Sequence, residues 1–246
     1  LPMEPQVIIR PNIFADYEWL SVGMTTRHVH RPERPRLEVA RELPQLAEMP
    51  TDTPVVVGEQ VHDNAVAIVG GSDAPVPSAG ALFEVPAVDA LVAPEPGVAV
   101  GVFTADCVPI VLVDIETRVV GVAHAGREGT LKWVAQELVH SLLNLDCKAQ
   151  NMRAWIGPSI SAPFYEVDAE KAAECMSHFA HFPGAVTGDE QRHIALGLIN
   201  WCQLLSAGIE REHLELDARC TFMMEELFYS YRRDNEAAGR MLTYAF

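Results

Sequence analysis

From Val88 to His124 the chain is dense in apolar and β-branched residues, and the runs are continuous rather than alternating. Val98 to Ala105, Ile110 to Val113 and Val119 to Ala123 predict strands covered on both faces. Asp114-Ile115-Glu116-Thr117 predicts the turn of a hairpin joining the last two. The period then changes. Leu131, Val134, Ala135, Leu138, Leu142 and Leu145 fall at helical spacing, with Thr130 as the predicted N-cap of a helix packed by one stripe. A strand over Arg153 to Ile156 follows and ends at Gly157-Pro158. Asp168 then caps a helix reaching about Phe179, and another helix runs from Ile194 to Ala207 and stops at Gly208. Leu214 to Asp217 and Met241 to Phe246 predict strands. At the other end, Val7 to Ile9 and Leu20 to Met24 predict short strands, and Val55 to Val57 begins one that runs toward His62. Residues 31–54 carry prolines at 32, 35, 44 and 50 and read as a poorly structured or loosely helical surface connection. No internal repeat interrupts the pattern. The expected fold is α/β (α+β), one layered domain over residues 1–246 with mixed β-sheets flanked by helices.

Composition narrows the class. Hydrophobic residues make up 49% and aromatic residues 7%, enough for a sizeable core. A formal charge of −16, from 18 Lys+Arg against 34 Asp+Glu, repels nucleic acid and anionic membranes. An anionic substrate therefore requires a local positive pocket. Cys107, Cys147, Cys175, Cys202 and Cys220 are an odd number without CxxC spacing, which favours reduced thiols and a cytoplasmic setting over a disulfide framework. The longest apolar run, Val98 to Val113, holds Asp106 and Pro109 and reads as two buried strands, not a membrane span. The first eleven residues lack the apolar core of a signal peptide.

Against that background, His62 in Gln60-Val61-His62, Cys107 in Ala105-Asp106-Cys107-Val108-Pro109 and His124 in Ala123-His124-Ala125-Gly126 stand at the ends of β-type segments, where turns display functional groups. Two imidazoles and a thiolate form a three-ligand set for Zn²⁺ that leaves a fourth position for a reactant, as in catalytic zinc sites. A lone cysteine among valines is also an ordinary buried hydrophobe. A Cys/His pair can equally serve as nucleophile and base in acyl transfer or deamidation. Gly126-Arg127-Glu128-Gly129-Thr130 puts a cation and backbone amides at a helix start, either an anion cradle or a plain capped turn. Arg232, Arg233 and Arg240 concentrate guanidinium groups near the end of an acidic chain, suited to phosphate or to surface pairing with Asp234 and Glu236.

These segments, in this order, resemble the YfiH/YlmD-like family, also called the laccase-domain or multicopper polyphenol oxidase family. The matching pieces include Thr25-Thr26-Arg27, Gln60-Val61-His62, the Asp106-Cys107 segment and His124-Ala125-Gly126 with Gly129. Ile156-Gly157-Pro158-Ser159-Ile160, Tyr165-Glu166-Val167, Cys220-Thr221 and Phe228 to Asp234 continue the match nearly to the end. The resemblance implies one zinc held by His62, Cys107 and His124. It also implies phosphorolysis of adenosine, inosine and methylthioadenosine and deamination of adenosine, so a purine nucleoside and inorganic phosphate are the expected partners. The implied layered fold is similar to the catalytic domain of a deamidating toxin, which keeps the thiol-hydrolase alternative open. Copper-dependent oxidation of phenols is the other alternative. It ordinarily needs several copper sites, and one His₂Cys set binds Cu²⁺ at most adventitiously.

Phosphorolysis needs arginine to neutralise phosphate, and Arg27, Arg127 and Arg233 are the candidates. Deamination needs a proton shuttle beside the metal. Asp106 neighbours Cys107, but adjacent side chains on a regular strand face opposite ways, so it serves as shuttle only where the strand end is distorted and otherwise as support. The chain departs from the family pattern His-Ala-Gly-Trp-Arg-Gly by placing Arg127 and Glu128 at the Trp and Arg positions. The segment after Thr-Arg reads His28-Val29-His30-Arg31 in place of glycine-rich sequence, and Pro163-Phe164 stand where cysteines are common. The three metal ligands survive each departure. The state of association is left open.

Overall fold

A computed structural model describes residues 6–29, 35–72 and 74–246. The strands are β1 (Ile8–Ile9), β2 (Val22–Thr25), β3 (Val55–Gly58), β4 (Val66–Ile68), β5 (Leu82–Val85), β6 (Ala90–Ala93) and β7 (Ala99–Thr104). They continue with β8 (Val108–Asp114), β9 (Val120–Ala125), β10 (Met152–Ile156), β11 (Val186–Thr187), β12 (His193–Ile194), β13 (Leu214–Leu216) and β14 (Met241–Ala245). The helices are α1 (Arg36–Leu46), α2 (Arg127–Leu131), α3 (Val134–Leu143), α4 (Ala169–His178), α5 (Leu196–Ser206) and α6 (Tyr231–Asp234).

Two six-stranded sheets carry the fold, in the orders β1-β2-β14-β7-β3-β5 and β13-β10-β8-β9-β6-β4. Both are mixed: β3 runs parallel to β5 and β7, and β10 parallel to β13, while β8 pairs antiparallel with β9 and β10. The sheets face each other. Val56, Val100 and Val102 of the first meet Val111, Val113, Val122 and Trp155 of the second in one cluster. On the opposite faces, Ile110 and Leu112 pack under Leu138 and Leu142 of α3 and Ile199 of α5, and Val55 and Val57 pack under Val39 and Leu43 of α1. The order of layers is helix, sheet, sheet, helix. Successive residues of β8 thus point into different cores, which is why its apolar run has no polar alternation.

The hairpin turn predicted at 114–117 is present. The buried Asp114 carboxylate accepts the N–H groups of Glu116 (2.9 Å) and Thr117 (3.0 Å), an aspartate's usual way of closing a turn. Asp168 caps α4, accepting Lys171 N–H at 2.9 Å. Within 31–54 the loosely helical alternative is realised as α1, which begins after Pro35 and tolerates Pro44 in its last turn. Residues 31–34 and His30 lie outside the described residues.

The helix predicted from a Thr130 cap is instead two. It starts at Gly126, breaks at Trp133, whose φ of 63° is left-handed, and resumes as α3. Thr130 is bound from α5: Asn200 Nδ2 donates to its Oγ1 at 3.0 Å and Gln203 Nε2 to its carbonyl at 2.8 Å. All five cysteines are free thiols, and among the described residues no helix is long and apolar enough to cross a membrane.

Candidate functional site

Three chain segments converge where the two sheets come together. The chain passes from β7 in the first sheet to β8 in the second through Ala105-Asp106-Cys107. β9 ends beside it with His124, paired to Pro109 of β8. The loop after β3 brings His62, held in a left-handed turn at φ 62°. That loop is tied down by Gln60, whose side-chain amide donates to Phe103 O at 2.6 Å and accepts Phe103 N–H at 2.7 Å.

The donor atoms of His62, Cys107 and His124 all lie within 4.8 Å of one another. His62 is exposed, Cys107 half-buried and His124 buried, so the set opens to one side. The two imidazoles meet edge to face with centroids 4.7 Å apart. Gly126 sits against all three. A Cβ there would stand 2.9 Å from His62 Cδ2 and 3.2 Å from Cys107 Sγ, so only glycine leaves the donors room to converge.

Electrostatics favour the ligating protonation state of the thiol. Burial pushes the Cys107 thiol up, but the charge and hydrogen bond of His124, with a further hydrogen bond from His62, outweigh it and hold the pKa at about 6. Burial pushes His124 down, yet the Cys107 thiolate and the Asp89 hydrogen bond raise it to about 9. Two imidazoles and a thiolate of this kind are a borderline-soft donor set that could hold a transition-metal ion such as zinc or copper. Without an ion the same atoms are a thiolate–imidazolium pair.

Asp89, fully buried just before β6, organises the site. Its carboxylate accepts the N–H groups of Val61 (3.0 Å), His62 (3.1 Å) and Asp63 (2.8 Å) and pairs with His124 Nδ1 at 2.7 Å. Burial works against ionisation, but His124 and these N–H groups still keep the Asp89 pKa below its ordinary value. With Nδ1 engaged, His124 presents Nε2 to the other two donors. Sequence reasoning missed Asp89. Its signal was a carboxylate inside the apolar run Val88-Asp89-Ala90-Leu91-Val92, where a strand tolerates charge only if it is paired.

The three donors lie in the wall of a cleft of about 730 Å³ that also carries Phe103, Tyr165 and Tyr231 as aromatic surface and Arg36, Arg232 and Arg240 as cations. Tyr165 is held as the phenol: burial and the Cys107 charge push its pKa up to about 12. Arg232 lies over the Tyr165 ring at 5.0 Å and donates Nη1 to Glu166 O at 2.8 Å. Arg240 lies 5.9 Å from the Tyr231 centroid and donates Nη1 to Ala238 O at 2.8 Å. Among the described residues neither pairs with a carboxylate, whereas Arg36 pairs with Glu84 at 2.5 Å.

The predicted arginines are placed elsewhere. Arg27 donates to Glu225 O at 2.6 Å and stacks on Tyr229. Arg127 is clamped between Glu174 (2.6 Å) and Glu128. Arg233 spends its guanidinium on the carbonyls of Thr221, Phe222 and Phe228 and on Asp234. None of the three lines the cleft. Asp106 does line it, at φ 86°, so the strand end is distorted as a shuttle role requires. Its oxygens are nonetheless taken by Thr221 Oγ1 (2.6 Å), Ser230 Oγ (3.0 Å) and Arg232 N–H (2.6 Å).

The profile of the family described as multi-copper polyphenol oxidoreductase laccase matches residues 23–246. The purine nucleoside phosphorylase YlmD of Bacillus subtilis is 31% identical over 233 residues, covering 93% of this chain and 82% of that protein. A purine nucleoside phosphorylase of Deinococcus radiodurans is 39% identical over 154 residues, 62% of this chain and 58% of the relative's own length. An adenosine deaminase from an unknown prokaryotic organism is 34% identical over 63% of this chain and 61% of its own. The crystal structure of YlmD from Geobacillus stearothermophilus superposes with a TM-score of 0.79 at 27% identity, covering 98% of this chain and 96% of that one.

Proposed function

The chain belongs to the multi-copper polyphenol oxidoreductase laccase family, and from that premise we propose that it is a zinc-dependent purine nucleoside phosphorylase that also deaminates adenosine. The observation that carries this reading is the joining of one His-Cys-His set to a cleft with aromatic walls and two guanidinium groups that, among the described residues, pair with no carboxylate. Relatives bearing the phosphorylase and deaminase names support it. So does the donor count. Among the described residues this is the one cluster of three or more such donors, where a multicopper oxidase needs several.

His62, Cys107 and His124 would hold the ion, which would supply Lewis-acid chemistry to a substrate oxygen or water. The remaining work falls to the chain. Phe103, Tyr165 and Tyr231 take the planar base, and Tyr165 keeps a proton on its Oη to donate. Arg232 and Arg240 take inorganic phosphate by charge-assisted hydrogen bonds, in place of the arginines expected from sequence. In phosphorolysis a phosphate oxygen bonds to ribose C1′ as the bond to the base nitrogen breaks; the base leaves with a proton and ribose 1-phosphate remains. In deamination water adds to the purine carbon bearing the amino group, and ammonia departs. Glu236, whose Oε1 accepts Tyr231 Oη at 2.8 Å, is the cleft carboxylate left to carry that proton. Asp106 acts by positioning, fastening the Cys107 segment to the start of α6.

The test is product analysis of adenosine and inosine incubated with and without phosphate. Adenine or hypoxanthine appearing only with phosphate, and inosine from adenosine in either buffer, are the expected results. No turnover in either buffer by zinc-loaded protein refutes the reading. A second reading, thiol hydrolysis by the Cys107–His124 pair, rests on the lowered thiol pKa. It predicts activity that survives chelators and is lost on alkylation of Cys107.

A further inference from the structure

We propose that the start of α5 is a second ligand site, separate from the His-Cys-His cleft, which takes a tetrahedral oxyanion: inorganic phosphate or the phosphate group of a monoester. It is a cavity of about 250 Å³ between the 159–162 loop, the first turn of α5 and the 216–219 segment. Cavities that enclose whole drug-sized molecules run to roughly 300–1,000 Å³, so this one suits a small anion or the end of a larger ligand.

The lining is a set of donors with little to donate to. The N–H groups of Leu196, Gly197 and Leu198 open an eleven-residue helix and have no acceptor within it. Ala195 at the N-cap supplies no side-chain acceptor, so the positive end of the helix dipole faces the cavity uncapped. Independently, Ser159 is only 8% exposed, and its hydroxyl has no hydrogen-bond partner among the described residues. That Oγ lies 3.8 Å from where a Cβ on Gly197 would stand, so it is aimed at the helix start. The hydroxyl lines the cavity with no protein acceptor to use it, so an anion at the helix start would take its hydrogen bond together with those of the orphan N–H groups.

The carboxylate nearby does not oppose this. Asp217 is fully engaged by Arg219, accepting its N–H at 3.0 Å, Nε at 2.8 Å and Nη2 at 2.5 Å, which leaves Nη1 unspent. The loop itself is fixed beforehand. Ile160 N–H donates to Asp106 O at 3.0 Å, Ser161 N–H to Cys220 Sγ at 3.3 Å, and Ser159 O accepts Thr221 N–H at 3.1 Å. Its hydroxyls are therefore held in place without being used, as an anion site requires.

The test is a phosphate titration of the full chain followed by amide NMR, which reads this site separately from any phosphate in the cleft. The Gly197 and Leu198 amides should shift saturably, and Ser159→Ala should weaken the response about fivefold, the worth of one hydrogen bond. Gly197→Asp, whose carboxylate would occupy the cavity, should abolish the shift while leaving the cleft response of the Arg232 amide intact. Titration with adenosine 5′-monophosphate distinguishes the sources: a tighter response than to phosphate identifies an ester, an equal or weaker one the free anion. Unchanged Gly197 and Leu198 amides in a folded spectrum, or a shift that grows linearly and persists in Gly197→Asp, overturns the proposal.

Discussion

Replacing Asp89 by asparagine isolates what this carboxylate does for the ligand set. The side chain keeps its size and one acceptor oxygen but loses its charge and gains an NH₂ where an acceptor is needed. Four donors converge on the native group: three loop N–H groups at 2.8–3.1 Å and His124 Nδ1 at 2.7 Å. In the variant at least one of them faces a donor. If that one is His124, the imidazole must turn over its tautomer and so misdirect Nε2; if it is the loop, His62 loosens. Hydrogen bonds to charged groups contribute about 1.5–3 kcal/mol each, and changes to such outer partners of metal-bound histidine typically cost about 10–100-fold in affinity. Zinc affinity, measured by competition with a chromophoric chelator, should fall by that factor, and the melting temperature of the metal-free protein should drop as well. An Asp89→Asn protein that binds zinc within about threefold of the parent, a difference under about 1 kcal/mol, would show that Asp89 does not orient the ligand set.

Gly126→Ala should leave the far-ultraviolet dichroism intact but lower zinc affinity on the order of a hundredfold, because its Cβ collides with His62 and Cys107; native affinity would show that the three donors have room to spare. In chelator-treated protein the alkylation of Cys107 should rise as pH increases through about 6, since the thiolate is the reactive form, and a midpoint near the ordinary thiol value of about 8.5 would contradict the His124 pairing. Leu112→Ala, at a fully buried position under α3, should cost about 2–5 kcal/mol in denaturant unfolding. Arg232→Ala should raise the KM for phosphate by about tenfold or more with little effect on the KM for nucleoside, whereas Arg233→Ala should act through stability and leave the phosphate KM in folded protein unchanged.

Much of the fold was legible because burial on both faces writes itself as unbroken apolar runs. The strands around 98–125 and their hairpin are where the sequence placed them. The ligand candidates were legible for a related reason: Cys107 and His124 stand at the edges of those runs, and Gly126 beside them marks a close approach. The break at Trp133 was not, because the spacing of apolar residues continues through it and the turn is held by polar contacts from α5, seventy residues away. Nor was the allocation of arginines. Arg232 and Arg233 are neighbours of identical type, and only the folded chain shows that Arg233 is consumed by three carbonyls while Arg232 faces the cleft. Asp89 went unseen because its four donors come from the loop after β3 and from His124 at the end of β9, which meet only in the folded state.

The most direct measurement is X-ray absorption fine structure at the zinc edge of protein purified without added metal. About one zinc per chain is expected, with one sulfur and two imidazole nitrogens in the inner shell and loss of the sulfur shell in Cys107→Ala. A zinc shell of oxygen and nitrogen alone, unchanged by that substitution, would contradict that expectation.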